Sequence, residues 1–451
     1  MNRVVVTGIG AVSPLGNSLH KCWEVAKAGL SGIALITRFD ISEIKWKVAG
    51  ELKGFDAQKY LSLKEINRLD PFVHYAVTAA MMAAEDAGLI DQKSEVRSQK
   101  SNPPLPPFTK GGAGGIMNSA HCSPRTALLN SAGVIIGSSR GGISTIEKEL
   151  QKKCLSGITH RASRISPYLM PSTTISMASS YIAQKLGIKG YCLGISNACA
   201  SGTNAIGEAY RLIRSGYHGP VFCGGAEAPV CRICIEGYGE SGALSQVNDS
   251  SASKPFDMTR DGFVLSEGAC ILVLENYEDA LKRGDRIYGE IIGYGNTTDA
   301  FHQTIPAQEG EARAIKMAIN EAGLKPEDID FINAHGTSTP LGDKIETKAI
   351  KLSFGKRAYQ IPITSIKSMT GHMLAASGSL EAAFTLMSID EGIIPPTINL
   401  KVRDPECDLD YATELRRAQI EYAISHSFGF GGVNAVLVMR KSKDVDNIST
   451  S

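Results

Sequence analysis

The sequence predicts an α/β protein made of two similar halves, and three pairs of matching segments carry that prediction. VVVTGIGAVS (4–13) is an apolar strand that runs into G-x-G, and GEIIGYGNTT (289–298) repeats the pattern. AVTAAMMAAEDAGL (76–89) and EARAIKMAINEAGL (311–324) both read as amphipathic helices, and both close on A-G-L. Glycine at that point suits a left-handed helix cap. Each helix is followed by a strand, AGVIIGSS (132–139) and IDFINAHGT (329–337). The order strand, helix, strand recurs, which divides the chain into residues 1–284 and a shorter half, 285–451.

Length and composition bound the function. A chain of 451 residues can bury one large or two medium cores. Its 43% apolar and 21% charged residues are ordinary for a globular enzyme. A net charge of +1 gives no pull toward nucleic acid or an anionic membrane. No uncharged apolar run is long enough to span a bilayer. The opening MNRVVVTGIGAVSPLG has too short an apolar stretch for a signal peptide, so a cytoplasmic protein is expected. The ten cysteines show no disulfide framework. Cys231 and Cys234 form a C-x-x-C without a second pair or nearby histidines, so they read as core, and no metal is expected.

Taken in chain order, the first irregularity is an insert at 92–131. Its proline- and glycine-rich stretch NPPLPPFTKGGAGG (102–115) reads as a flexible surface loop. GSSRG (137–141) follows a strand and matches G-x-S-x-G, the nucleophile elbow of a serine hydrolase, which makes Ser139 a rival nucleophile. The internal echo sets Ser139 where the second half carries HGT, and no H-G-G-G loop is present.

YCLGIS (191–196) reads as a short buried strand. Downstream, Ile206, Ala209, Tyr210 and Ile213 recur on one helical face. ISNACASGTNA (195–205) joins the two, so Cys199 falls in the first turn of a helix. Unpaired N–H groups and partial positive charge collect there, which lowers a thiol pKa and favours a nucleophile. A small cysteine packed behind a strand would satisfy the same stretch.

The second half adds three signals. NAHGTSTPLGD (333–343) sets His335 in a small polar loop at a strand end. KSMTGH (367–372) follows the strand IPITSI (361–366) and delivers Lys367 and His372 together. The next helix, MLAASGSLEAAFTLM (373–387), is apolar nearly all round and therefore buried. Glu381 within it needs a partner, and Lys367 is the nearest candidate. Finally ISHSFGFGGVNAVLV (424–438) puts Gly429, Gly431 and Gly432 between strands, as in a glycine-rich hairpin or a backbone that approaches a ligand.

Together these motifs resemble the β-ketoacyl-[acyl-carrier-protein] synthases, specifically the synthase II-like condensing enzymes. NACASG, HGTST, KSMTGH and GFGG occur in that order, and KPFDMTRDGFVLSEGA (254–269) and GGAEA (224–228) belong to the same likeness, which leaves only 92–131 without a place. The resemblance implies a five-layered thiolase-like αβαβα fold, a homodimer and an acyl carrier protein as partner. It implies that Cys199 is the acyl-accepting nucleophile, that His335 and His372 act on a malonyl group, and that Lys367 and Glu381 form a supporting pair. Thr337 and Thr339 match the threonines that hold phosphopantetheine. Phe263, Phe428, Phe430 and Gly431 match positions at the substrate, with the N–H groups of Cys199 and Phe430 as oxyanion hole and Phe430 as gating ring. Substrates on phosphopantetheine and loss of carbon dioxide leave no need for a nucleotide, redox or other cofactor.

Asn197 stands where the family usually has threonine, His426 where asparagine is common, and ASGS (376–379) beside the commoner AAGA. A second, non-enzymatic alternative is an idle partner subunit of a condensing heterodimer, but such subunits lack the nucleophile that Cys199 retains.

Overall fold

Ten strands and their helices form two copies of one arrangement, seen in a computed structural model that describes residues 1–91, 124–158 and 164–442. The first copy contains β1 (Val4–Val12), β2 (Gly133–Gly137), β3 (Cys192–Ile195), β4 (Val221–Glu227) and β5 (Gly268–Asn276). The second contains β6 (Gly289–Thr298), β7 (Phe331–Asn333), β8 (Ile363–Thr364), β9 (Tyr422–Gly429) and β10 (Val433–Arg440). The spatial orders are β3-β2-β4-β5-β1 and β8-β7-β9-β10-β6. Counted from its own first strand, each reads 3-2-4-5-1, with the same mixture of parallel and antiparallel pairs. The two sheets meet where Val4, Val5 and Val6 of β1 pair with Ile291, Glu290 and Gly289 of β6.

Among the helices, those that build the layers around the site are α1 (Pro71–Asp86), α2 (Ser201–Arg214), α3 (Arg232–Glu240), α4 (Gln308–Glu321), α5 (Pro340–Phe354) and α6 (Ala375–Glu391). α2 and α6 pack on each other between the sheets, α1 covers the outside of the first and α4 with α5 the outside of the second. The result is the five-layered thiolase-like αβαβα fold of two similar halves. Three apolar cores separate the layers, around Ile206, Tyr210, Leu380 and Phe384 in the middle, Val73, Val77 and Ala80 on one side, and Ile315, Ile319 and Ile350 on the other. Desolvation on both faces explains why α6 has no polar stripe: Ala375 to Ile389 are all buried.

Local chemistry sets the element ends. Asp70 caps α1 by accepting from the Phe72 N–H at 3.0 Å, with Pro71 at the first helical position. The two A-G-L endings behave alike, with Gly88 at φ +63 and Gly323 at φ +70 just beyond α1 and α4.

Two expectations need correction. YCLGIS, expected as a buried strand, is the sheet-edge strand β3, with Tyr191 43% and Leu193 37% exposed. Among the described residues β2 pairs with one side of it and no strand pairs with the other, which leaves that edge open. The insert expected over 92–131 is interrupted by a helix at Pro124–Ser131, while its proline- and glycine-rich stretch 102–115 lies outside the described residues. No helix among the described residues is long and apolar enough to cross a membrane.

The middle layer tolerates no added atom where α6 begins. A Cβ on Gly225 of β4 would sit 2.2 Å from the Ala375 carbonyl oxygen, which is backbone and cannot swing aside. Gly225→Ala is expected to destabilise the protein by about 1–3 kcal/mol in chemical denaturation. Gly237→Ala in α3, where nothing lies within 4 Å, is expected to be neutral or stabilising.

Candidate active site

Both copies of the fold send their functional side chains to one seam. In the first half, β3 ends at Ile195 and a 3-10 turn, Ala198–Ala200, precedes α2. Cys199 therefore lies in the turn just before the helix rather than in the helix itself. Ala198 takes φ +46, a left-handed value uncommon for a residue with a Cβ, so the elbow is strained into place. From the second half, the end of β9 passes against this elbow: a Cβ on Gly429 would be 3.2 Å from the Cys199 amide nitrogen. That approach brings the Phe430 N–H to the side of the Cys199 sulfur, where it favours the thiolate.

The two histidines meet the cysteine there. His372 Nε2 is 3.0 Å from Cys199 Sγ, and the His335 and His372 rings stand edge to face with centroids 5.4 Å apart. Cys199, His335 and His372 share one cavity of about 450 Å³ with Thr337, Thr339, Phe263, Phe428 and Phe430. The Thr337 and Thr339 hydroxyls are 3.0 Å apart, and Thr339 also caps α5 by accepting from the Gly342 N–H. Phe263 lies edge-on to His372 at 5.2 Å and Phe428 edge-on to His335 at 6.0 Å. Gly431 is the one expected substrate residue outside the cavity lining: at φ +84 it shapes the hairpin turn and donates its N–H to the Gln303 carbonyl at 2.7 Å.

Lys367 and Glu381 sit behind the histidines, each 1% exposed in its side chain, and form the expected pair. The Lys367 ammonium also donates to the His335 carbonyl at 2.6 Å and reaches His335 Nδ1 at 3.3 Å. An ammonium carries only donors, so Nδ1 is the acceptor and the hydrogen of His335 stands on Nε2. The same logic applies to His372. Ser377 Oγ accepts from the Met373 N–H at 2.9 Å and lies 3.1 Å from His372 Nδ1, which directs the hydroxyl hydrogen to Nδ1 and leaves Nε2–H facing Cys199. Ser377 belongs to the ASGS stretch that departs from the family pattern.

Electrostatics corrects one expectation. A helix-start thiol was expected to have a lowered pKa, yet burial pushes Cys199 up to about 11, with the Lys367 charge and the Phe430 N–H opposing. The elbow is sealed under Phe263, Leu374 and Tyr238, and desolvation outweighs the helix terminus. His335 and His372 are held well below the ordinary 6.5, first by burial and then by Lys367. Both imidazoles are neutral and each offers one N–H. Burial lifts the Glu381 carboxyl to about 7 against the pull of Lys367.

Sequence reasoning missed Glu346. On α5, 2% exposed, it accepts from the His335 N–H at 2.8 Å and the Gly336 N–H at 2.7 Å, and so clamps the histidine loop. His426 Nδ1 lies 3.0 Å from the same carboxylate. Its place on the helical face shared with Ala349, Ile350 and Phe354 was the available signal. Ser139 belongs to none of this: its backbone N–H donates to Glu227 at 2.7 Å, and it does not line the cavity that Cys199, His335 and His372 share, so the geometry does not support the serine-hydrolase alternative. Cys231 caps α3 and Cys234 lies within it, both buried, and no metal-holding group of three or more His, Cys, Asp or Glu occurs among the described residues.

A buried sulfur, two neutral imidazoles and one cavity that all three line suit acyl transfer to sulfur followed by carbon–carbon bond formation. On this fold they define a condensing acyltransferase of the thiolase-like class. The chain belongs to the beta-ketoacyl synthase family: the N-terminal domain of that family matches residues 1–100 and 113–280, and the C-terminal domain matches 288–401. Only 101–112 within the expected insert therefore lacks a counterpart, not all of 92–131. A 3-oxoacyl-[acyl-carrier-protein] synthase 2 from Synechocystis is 44% identical over 97% of this chain and 98% of its own. One from Staphylococcus aureus is 42% identical over the same shares. Among solved structures, a type II PKS acyl-carrier protein in complex with its ketosynthase bound to the hexaketide matches at TM-score 0.83 and 32% identity, covering 98% of this chain and 100% of that one.

Removing one member of the buried pair should be worse than removing both. Glu381→Ala is expected to cost about 3–5 kcal/mol, because Lys367 is left unpaired. Lys367→Met with Glu381→Leu should recover most of that stability in denaturant titrations while activity stays lost.

The depressed histidines give a pH signature. Their folded pKa values lie below the unfolded value of roughly 6.5, so their contribution to stability is full above that pH and is lost as pH falls toward the folded values. Malonyl-carrier decarboxylation by Cys199→Ala should therefore pass through pH 6.5 without the half-loss that an ordinary histidine would impose.

Proposed function

We propose that the protein is a β-ketoacyl-[acyl-carrier-protein] synthase that extends an acyl chain by two carbons in fatty acid synthesis or a related polyketide or secondary lipid pathway. The observation that carries this reading is the convergence of His335 and His372 on Cys199 in one cavity. Cys199 Sγ attacks the thioester carbon of an acyl-carrier protein. The N–H groups of Cys199 and Phe430 hold the oxyanion, and the carrier thiol departs with the cysteine proton. The distance between Gly429 and the Cys199 amide supports that hole, since both N–H groups belong to the same tight crossing.

A malonyl thioester then enters between Thr337 and Thr339, which hold the phosphopantetheine arm. Its carbonyl oxygen accepts from the two Nε2–H groups as carbon dioxide leaves, so the enolate charge is met by neutral donors. Burial and the Lys367 charge keep the imidazoles neutral, and Glu381 keeps Lys367 in place. The carbanion attacks the acyl-cysteine carbonyl, the oxyanion returns to the same hole, and collapse releases the β-ketoacyl carrier and the Cys199 thiolate, which takes a proton from water. Carbon dioxide loss drives the reaction, so neither a nucleotide nor a redox cofactor nor a metal enters it. Phe430, 37% exposed, is the ring positioned to gate access, Phe263 and Phe428 wall the substrate, and Gly431 lets the hairpin turn move.

The carrier protein is the partner, as in the solved ketosynthase complex. A homodimer follows from the open edge of β3: its unpaired backbone groups and exposed Tyr191 and Leu193 suit a second copy of the same strand. The halves divide near residue 284, where Gly284 ends a short helix at φ +69. Nine free cysteines among the described residues support the reducing cytoplasm as compartment.

Incubation with acyl-carrier protein should add one acyl mass to the protein, and Cys199→Ala should abolish both that mass and condensation while Ser139→Ala leaves them. Acyl mass absent from the wild-type protein would instead identify an idle subunit.

A further inference from the structure

The GSSRG turn, unused by the hydrolase chemistry its pattern suggests, is rigidly held beside the nucleophile. Glu227, fully buried, accepts from the Ser138 hydroxyl at 3.0 Å, the Ser139 N–H at 2.7 Å, the Arg140 N–H at 2.9 Å and the Ala375 N–H at 3.3 Å. Arg140 leaves this clamp toward Tyr238. Its Nε donates to the Tyr238 hydroxyl at 2.8 Å, and its guanidinium carbon is 5.1 Å from the centre of that ring. Among the described residues no carboxylate pairs with Arg140, and its two terminal nitrogens have no hydrogen-bond partner. A guanidinium in contact with only a neutral hydroxyl and a ring keeps its fork open for an oxygen ligand.

Arg140 is exposed and does not itself line the cavity; it stands behind the Tyr238 wall. The Tyr238 ring packs 5.6 Å from Phe263 and 6.5 Å from Phe430, and Phe263 abuts His372. Tyr238, Ser241 and Phe263 line the cavity from the first half, whereas His335, Thr337 and Thr339 line it from the second. A carrier arm lying along the threonines leaves the Tyr238 side for the acyl group on the sulfur. Arg140 is close enough to Cys199 for its charge to oppose the rise of the thiol pKa.

We propose that Arg140, held on Tyr238, is a binding determinant for the distal end of the acyl group, and that it selects chains bearing a carboxylate or carbonyl oxygen over plain alkyl chains. The inference rests on the condensing reading above and deepens it by naming the substrate class. A plain alkyl terminus would desolvate an unpaired cation, whereas an oxygen terminus would pair with it.

The test compares hexanoyl- and adipoyl-carrier protein, equal in carbon number and different in the terminal carboxylate, by rate of acyl mass gain on Cys199 and by kcat/KM with malonyl-carrier protein. The wild-type protein should favour the adipoyl carrier. Arg140→Met should lower the adipoyl-to-hexanoyl ratio about tenfold or more, the worth of a hydrogen bond to a charged group. Arg140→Lys should fall between, since it keeps the charge and loses the fork. Acylation by both carriers with a ratio unchanged in Arg140→Met overturns this inference alone. An unchanged ratio with a fall in molar mass by light scattering overturns it too, and assigns the guanidinium to contact between copies. No acyl mass from either carrier on the wild-type protein overturns the condensing reading and this inference with it.

Discussion

Lys367 carries a charge in a place that is 1% exposed, and much of the site's arrangement follows from that fact. A lone buried ammonium would be strongly unfavourable, so Glu381 must reach it from the middle of α6. The pairing in turn fixes how α6 lies between the sheets. The remaining donors of the ammonium are spent on the His335 carbonyl and ring, so one side chain ties the central helix to the catalytic loop. The same charge adds to the effect of burial, which comes first, in keeping both imidazoles neutral.

The duplicated architecture explains why the site lies where it does. Each half is a five-stranded sheet of the same order, and corresponding strand ends point to one seam. The proposed nucleophile Cys199 lies in the elbow after β3, the proposed donors His335 and His372 in the loops after β7 and β8, and the proposed oxyanion N–H of Phe430 just past the end of β9. Parallel strands deliver loops to a common edge, which makes such an edge a natural place for a site. Close backbone approach at Gly225 and Gly429 draws the halves together around it. Bulk at either point would separate the groups the chemistry needs.

Buried carboxylates set the rigidity of both walls. Glu346 gathers the N–H groups of His335 and Gly336, and Glu227 gathers those of Ser139 and Arg140. Each satisfies several donors that a bare loop would leave unmet, which turns a glycine-rich turn into a fixed platform. Burial raises Glu227 to about 7, so its hydrogen bonds, not its charge, are its main contribution.

The fold class and the candidate site residues were legible in the chain itself. Apolar spacing, A-G-L helix ends and repeated strand patterns are local properties, so α1 and α4 or β1 and β6 could be matched without coordinates. Cys199, His335, His372, Lys367 and Glu381 were legible because each sits in a short run whose composition admits few roles. Only the tertiary structure decided the rest: that β3 is an open edge, that burial overrides the helix terminus at Cys199, that Ser377 and Lys367 orient the two imidazoles, and that Glu346 and Tyr238 complete the walls. Those properties depend on which distant segments exclude water from a group and which donors they bring to it. Spacing along a chain carries the local periodicity but not the solvent a folded neighbour removes.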